Sequence, residues 1–333
     1  TENVAKKYPD RVAISYKRSP RDKETVNVTY AEARDYIRDM GTELLNMGLR
    51  DKHVAIIGES SYEWICSYFS LMSIGAVTVP IDKDLPADEM AGLLNFADCE
   101  AVFYSPLIED KIKSIANRLP RIKIYVCMRE AGMAGALNLP DIVKRGRERF
   151  RNGDNSYYDY EIDSERLATI VFTSGTTGKG KGVMLSQKNI VLDMTLGMYN
   201  FAITPKTMNV LPPHHTYGST VNFVGHYAQG STIYISSGLR YIMEEMQEQK
   251  PSHLVLVPLF VETMHRKIWQ TAEKNGKAGM LRLLIKVSNI LRKLGIDLRR
   301  KLFKSIHDIF GGKLEFIICG GAALNQDIID TFD

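Results

Sequence analysis

The sequence predicts an α/β layered fold. Two observations carry this. Apolar runs of strand length alternate with stretches whose apolar residues recur at helical spacing, and glycines stand where those stretches need a cap. Strand, helix, strand in repetition implies parallel strands joined by right-handed crossovers.

Val12–Tyr16 and Thr25–Val28 read as strands around the charged turn Arg18–Lys23. Thr29-Tyr-Ala-Glu32 has the form of a capping box, and the apolar stripe after it ends at Gly48, a suitable helix C-cap. His53–Ile57 is a short apolar strand, Ser60–Ile74 an aromatic-rich helix closed by Gly75, and Val77–Pro80 the next strand. Ala101–Tyr104 and Lys123–Cys127 follow as short strands with helical stretches between. Residues 129–163 mix Gly132, Gly135, Pro140, Gly146 and Gly153 with many charges and are expected to form a long surface excursion. There is no internal repeat or low-complexity tract.

A chain of 333 residues can bury a sizeable core, and its length suits two or three lobes. No window approaches the roughly 18–20 apolar residues of a membrane span. The opening TENVAKKYPD lacks an apolar signal core, which argues against secretion. Cys66, Cys99, Cys127 and Cys319 are scattered, without a Cys-x-x-Cys pair or a histidine at metal spacing. Reduced thiols, a cytoplasmic setting and no structural metal are expected. The net charge of +4 is uneven: residues 265–304 hold twelve Lys/Arg against Glu273 and Asp297, so the remainder is acidic.

The densest chemical signal runs from Ala168 to Ser186: an apolar strand, then Thr173-Ser-Gly-Thr-Thr-Gly-Lys-Gly-Lys181, then a second strand at Val183–Leu185 and a helix from Ser186. Glycines let backbone N–H groups converge on an anion, hydroxyls add hydrogen bonds, and Lys181 supplies a point charge. A glycine-rich hairpin with solvated lysines is the plain alternative. A Walker loop is a sharper one, because Gly175 to Lys181 satisfies G-x-x-x-x-G-K. It fails on two parts: position 182 is Gly where Ser or Thr must hold magnesium, and a strand follows where a helix is required.

The stretch instead resembles the phosphate loop of the adenylate-forming superfamily (acyl-CoA synthetases, luciferases, peptide-synthetase adenylation domains), with Phe172, Gly180 and Gln187 replacing the usual Tyr, Pro and His. Ser61-Tyr-Glu-Trp-Ile through Gly75-Ala-Val-Thr-Val-Pro80 is similar to a core-packing stretch of that family. Leu211-Pro-Pro-His-His-Thr-Tyr-Gly218 resembles its L-P-x-x-H-x-x-G motif, and Gly320-Gly-Ala-Ala-Leu324 its G-G-A-P-L loop, with Ala323 in place of Pro.

The resemblance implies the large amino-terminal domain of the adenylate-forming fold, as two interleaved αβ subdomains near 50–195 and 1–49 plus 205–333. A basic helical insertion is expected at 262–312, and the carboxy-terminal part of the fold is expected to be missing. It implies an acid–coenzyme A ligase that uses ATP, Mg2+ and coenzyme A, with Lys181 and His215 catalytic and no metal ligand from this chain. Thr173, Ser174, Gly175, Thr176, Thr177, Gly178 and Lys181 would bind the ATP phosphates; Gly320, Gly321, Ala322, Ala323 and Leu324 would border adenine. His215, Tyr217 and Gly218 would meet the acyl substrate. The three motifs are expected to meet in one crevice.

The basic insertion resembles that of long-chain fatty acid–CoA ligases. Amphipathic basic helices suit an anionic membrane surface, and reversing Arg299, Arg300 and Lys301 is expected to weaken such binding. Plain packing of a helix pair is the alternative, and nucleic acid is not expected because no aromatic interleaving accompanies the charge. An adenylation domain loading a carrier protein and a binding module without turnover are the competing function classes. The Y-G-x-T-E motif, ribose-binding Asp and mobile lysine domain of the family have no match in this sequence. A fragment without acyl-adenylate formation and with some self-association is therefore expected.

Overall fold

The computed structural model describes residues 1–173, 180–199 and 205–332. Its strands are, in chain order, β1 (Val12–Tyr16), β2 (Val26–Thr29), β3 (His53–Ile57), β4 (Val77–Ile81), β5 (Ala101–Tyr104), β6 (Ile124–Cys127), β7 (Leu137–Asn138), β8 (Leu167–Thr173) and β9 (Lys181–Ser186). Then come β10 (Lys206–Asn209), β11 (Thr232–Ile235), β12 (His253–Leu256) and β13 (Phe316–Cys319). The expected α/β layering is what the chain adopts, in two compact units: residues 1–16, 24–203 and 211–235 form one, and 17–23, 204–210 and 236–333 the other.

The first unit is built on a seven-stranded sheet in the order β7-β6-β5-β3-β4-β8-β9, parallel except for the β8–β9 hairpin. Burial on both faces is written into the strands. In β3, Val54 and Ile56 join one apolar cluster while Ala55 and Ile57 join the other, and Ala101 and Phe103 against Val102 and Tyr104 do the same in β5. Strands covered on both sides need apolar residues at every position, which is why they read as continuous runs. Helices Tyr30–Asn46, Tyr62–Ser73 and Leu139–Arg151 cover the first face; Ala87–Phe96 and Glu109–Ile115 cover the second. In the same unit β1 also pairs parallel with β11 and antiparallel with β2.

The capping box is formed as expected. The Glu32 N–H donates to Thr29 Oγ1 (3.2 Å) and the Thr29 N–H to Glu32 Oε2 (2.8 Å), and Gly48 ends that helix region at φ +74°. Residues 129–163 correct the expectation of an excursion: they contain the helix Leu139–Arg151. Leu139, Ile142, Val143 and Gly146 form its buried stripe. Its arginines cross to buried acids of the helix Tyr30–Asn46: Arg145 and Arg149 hold Glu43 (2.9 and 2.7 Å), and Arg147 with Arg38 holds Asp39 (2.8 and 2.6 Å). The charge density that suggests a loop is the polar half of a helix–helix contact.

In the second unit β12 pairs parallel with β10 and β13, with Leu254 opposite Met208 and Ile317. Pro258–Lys274 and Ala278–Lys293 are its long helices, joined at Gly276 (φ +67°).

Candidate active site

The strands of the seven-stranded sheet set out the site at their carboxyl ends. Thr78 in β4 stands opposite Thr169 in β8, and the two clamp each other: Thr78 Oγ1 donates to the Ala168 carbonyl (3.2 Å) and Thr169 Oγ1 to the Thr78 carbonyl (3.0 Å). From that level the chain runs four residues on in each case, through the end of β4 to Asp82 and along β8 to Thr173. Thr173 is paired across the hairpin with Lys181, the first residue of β9, and both are exposed. The hairpin therefore holds a hydroxyl and an ammonium side by side at the mouth of the loop. Ser174, Gly175, Thr176, Thr177 and Gly178 lie outside the described residues.

The segment 211–218 is fastened over the same edge. Ser60, three residues past β3, donates from Oγ to the Leu211 carbonyl (3.3 Å). His214 Nε2 is 3.7 Å from Asp82 Oδ2, an electrostatic neighbour at a distance too long for a hydrogen bond. The His214 and His215 rings lie 4.6 Å apart, tilted by 38°. Burial pushes the His214 imidazole below its usual range; Asp82 opposes that, and His215 adds to it. His214 is thus held neutral near pH 7, able to donate through one nitrogen and accept through the other. His215 is exposed, and its carbonyl accepts from the Ser219 N–H (2.8 Å) and Oγ (3.1 Å).

Residues Tyr217–Gly225 form a π-helix, a wide turn that recurs at functional sites. Gly218 is buried near its start, where a Cβ would lie 2.2 Å from the Pro212 carbonyl oxygen. Tyr217 is half-buried beside it. Tyr68 is buried, with the hydroxyls of Ser219, Thr169 and Thr78 as its polar neighbours. Tyr68 thus stands between the strand that leads into the phosphate loop and the π-helix that follows the histidine pair.

The Gly320–Leu324 turn belongs to the second unit. Gly320 N–H donates to the Leu256 carbonyl (3.1 Å), extending the β12–β13 pairing, and Gly321 sits at φ +88°, a conformation that calls for glycine. Gly321, Ala322 and Ala323 are exposed.

Ser60, Tyr68 and Asp82 are not among the residues that the sequence singles out. Asp82 has a usable signal, because it directly follows a buried parallel strand, and ligand sites in such sheets lie beyond the carboxyl ends. Ser60 meets Leu211, 151 residues further on, and Tyr68 has neighbours as distant as Ser219, so neither carries a local mark.

A pH dependence follows from His226, buried just past the π-helix with Nδ1–H donating to the Val221 carbonyl (2.8 Å). Burial lowers its pKa from 6.5 to about 4. Its unfolded form takes up protons first, so the stability it contributes is complete above pH 6.5 and is lost as pH falls toward 4, by about 3 kcal/mol. Urea midpoints measured from pH 7 to 4 should fall in that window, and a His226→Asn variant should flatten that part of the curve. A midpoint that does not change between pH 6.5 and 4 would contradict this.

Comparison with known proteins extends over the whole chain. The family model described as AMP-binding enzyme matches residues 1–333. The long-chain-fatty-acid–CoA ligase 5 of Rattus norvegicus is 26% identical over 333 residues, covering 92% of this chain and 48% of the relative. The chloroplastic long-chain-fatty-acid–[acyl-carrier-protein] ligase AEE15 of Arabidopsis thaliana is 26% identical over 303 residues, covering 85% of this chain and 41% of its own length. The chain therefore spans about half the length of the curated relatives it matches. Among solved structures, the A-PCP didomain of the carboxylic acid reductase from Segniliparus rugosus in complex with AMP superposes with a TM-score of 0.78. It covers 99% of this chain and 49% of the didomain at 18% identity, a likeness of fold.

Proposed function

The chain belongs to the AMP-binding enzyme family, and from that premise we propose that it is the nucleotide- and acid-binding part of a fatty acid–coenzyme A ligase. The observation that carries the reading is the pairing of Thr173 with Lys181 at the edge where Asp82, His214 and His215 also stand. A hydroxyl and a cation at a glycine-rich loop fit a polyphosphate, and a neutral imidazole beside an exposed one fits an adjoining carboxylate.

In this reading a carboxylate oxygen attacks the α-phosphorus of ATP, and pyrophosphate leaves. The coenzyme A thiolate then attacks the acyl carbon, and AMP leaves. Two anions must first be brought together, so the site's task is compensation of charge: Lys181 and the loop N–H groups take the leaving pyrophosphate, and His215 orients the carboxylate. Tyr217 and Gly218 border the acyl group, and the Gly320–Leu324 turn borders adenine. Among the described residues no three His, Cys, Asp or Glu side chains gather as a metal cage. Magnesium would enter on the nucleotide's own oxygens and neutralise them there. The lobes 50–195 and 1–49 plus 205–333 are part of the same proposal.

Support for a fatty acid comes from the names of the relatives and from the basic helical stretch within 262–312. The Arabidopsis relative, named for an acyl-carrier-protein acceptor, favours a second reading in which the acyl group passes to a carrier protein. Product analysis with both acceptors across acyl-chain lengths decides between them.

The site itself is tested by replacing Lys181 with Ala. Loss of one charge-assisted contact should weaken ATP or pyrophosphate binding by roughly ten- to a hundredfold in calorimetry. The melting temperature should stay put, since an exposed loop lysine contributes little to stability. Equal nucleotide affinity in the variant would refute the assignment.

A further inference from the structure

The helix Ala278–Lys293 presents three faces. Leu281 and Ser288 are buried on the first, with Leu284, Ile285 and Leu291 partly covered around them. Arg282, Lys286 and Lys293 form a second, exposed strip. Met280, Leu283, Val287, Ile290 and Leu294 follow one another at spacings of three and four along the third, and Leu283, Ile290 and Leu294 are 60–70% exposed. Ile296 continues the apolar line past the helix end. Single exposed leucines are ordinary; an unbroken stripe of four on one helix, continued by Leu294 at its C-cap, marks a contact surface.

We propose that this stripe docks on an anionic lipid surface, with the apolar side chains entering the acyl boundary and the basic strip meeting the headgroups. Charge decides the occupant. The helix contains no Asp or Glu, so a second copy would bring like charges to the seam's rim and offer nothing to pair with Lys286 and Lys293. Its 16 residues also fall short of the three to four heptads that sustain a coiled coil. An anionic bilayer supplies the missing negative charge, and long basic side chains reach it while their stems lie along the apolar stripe. Arg282 is already held at that rim, its guanidinium 5.4 Å from the Trp269 ring centre. No helix among the described residues is long and apolar enough to cross a membrane, so the contact is peripheral.

The sequence points to Arg299, Arg300 and Lys301 as the charges to reverse. The structure gives two of them other work. Arg299 is bound to Asp297 (2.7 Å), and Arg300 donates to the carbonyls of Gly312 and Leu314 (3.2 and 2.8 Å), so changing them would loosen the chain between 297 and 314. Arg282, Lys286 and Lys293 are the cleaner probes.

The test is sedimentation of the 333-residue chain with vesicles of phosphatidylcholine alone and of phosphatidylcholine with phosphatidylserine. No ATP or acid is present, so the outcome does not depend on the ligase reading. Binding is expected to the mixed vesicles and to weaken as salt rises. It should fall about a hundredfold when Arg282, Lys286 and Lys293 all become Gln, and at least about tenfold when Leu283 and Ile290 become Ser. Unfolding midpoints should be unchanged because these positions are exposed; if a variant does not fold, the salt series on the unmodified chain decides. Equal binding to neutral vesicles, no binding at all, binding retained by both variants, or a vesicle-free dimer abolished by Leu283→Ser would each overturn the proposal.

Discussion

Gly146→Ala is expected to destabilise the first unit by roughly 3–5 kcal/mol. The helices Leu139–Arg151 and Tyr30–Asn46 cross at this residue, and a Cβ added there would lie 1.7 Å from the Asp39 carbonyl oxygen and 3.2 Å from the Glu43 nitrogen. Those are backbone atoms, so no rotamer change relieves the overlap and the helices must separate. Separation also draws Arg145, Arg147 and Arg149 away from Glu43 and Asp39, whose side chains are only 5% and 1% exposed. Buried carboxylates stripped of their partners account for most of the cost. Gly92→Ala is the matched control. It lies in the helix Ala87–Phe96, where an added Cβ would meet nothing within 4 Å, and alanine's better helix propensity should stabilise by up to about 1 kcal/mol. Urea unfolding of the two variants should therefore move in opposite directions. A Gly146→Ala protein as stable as its parent would mean that the two helices are not packed in this way.

How much of this is legible in the sequence depends on the range of the interactions. The capping box at Thr29–Glu32, the helix ends at Gly48 and Gly75 and the strands β3 to β6 are set by neighbours within a few residues, and each can be read directly. The helix Leu139–Arg151 cannot. Its arginines repeat every second residue and dominate the local pattern, while their acids lie about a hundred residues earlier. Without those partners the same residues describe a solvated loop. The stripe Leu139, Ile142, Val143 and Gly146 is present, but its smallest member has the look of a breaker when it is the point of closest approach.

The candidate site divides in the same way. Thr173, Lys181, His214, His215 and Gly218 stand out because loop chemistry is written in consecutive residues. The groups around them, Ser60, Tyr68 and Asp82, come from elsewhere in the chain and are assembled by the order of strands β3, β4 and β8. Strand order is a property of the folded sheet, and no residue encodes it alone. The basic stretch shows the reverse case. Its charge is obvious, but which cations face outward and which fasten carbonyls becomes visible only with Arg300 bound to Gly312 and Leu314.

Gly218→Ala should cost the proposed reaction about a hundredfold in rate while leaving nucleotide affinity nearly intact. The new methyl would enter the Pro212 carbonyl, 2.2 Å away, and also crowd the Leu211 side chain at 3.5 Å. Pro212 O already accepts the His215 N–H at 3.4 Å, so the overlap pushes on the turn that aims both histidines. Ser60 anchors one end of that turn through Leu211, and the π-helix anchors the other through Ser219. The strain therefore falls on His214 and His215 between them. A displacement of about an ångström at reacting groups is enough for a loss of that size. Thr173 and Lys181 lie on the hairpin, a separate element, so ATP should still bind. Two readouts separate this from general damage. Acid-dependent pyrophosphate exchange, in a protein that carries out the reaction, should drop with little change in the calorimetric affinity for ATP. Proton NMR should show the His214 titration moving up toward an ordinary imidazole value as the ring loses its cover. Unchanged exchange together with an unmoved His214 titration would remove Gly218 from the site.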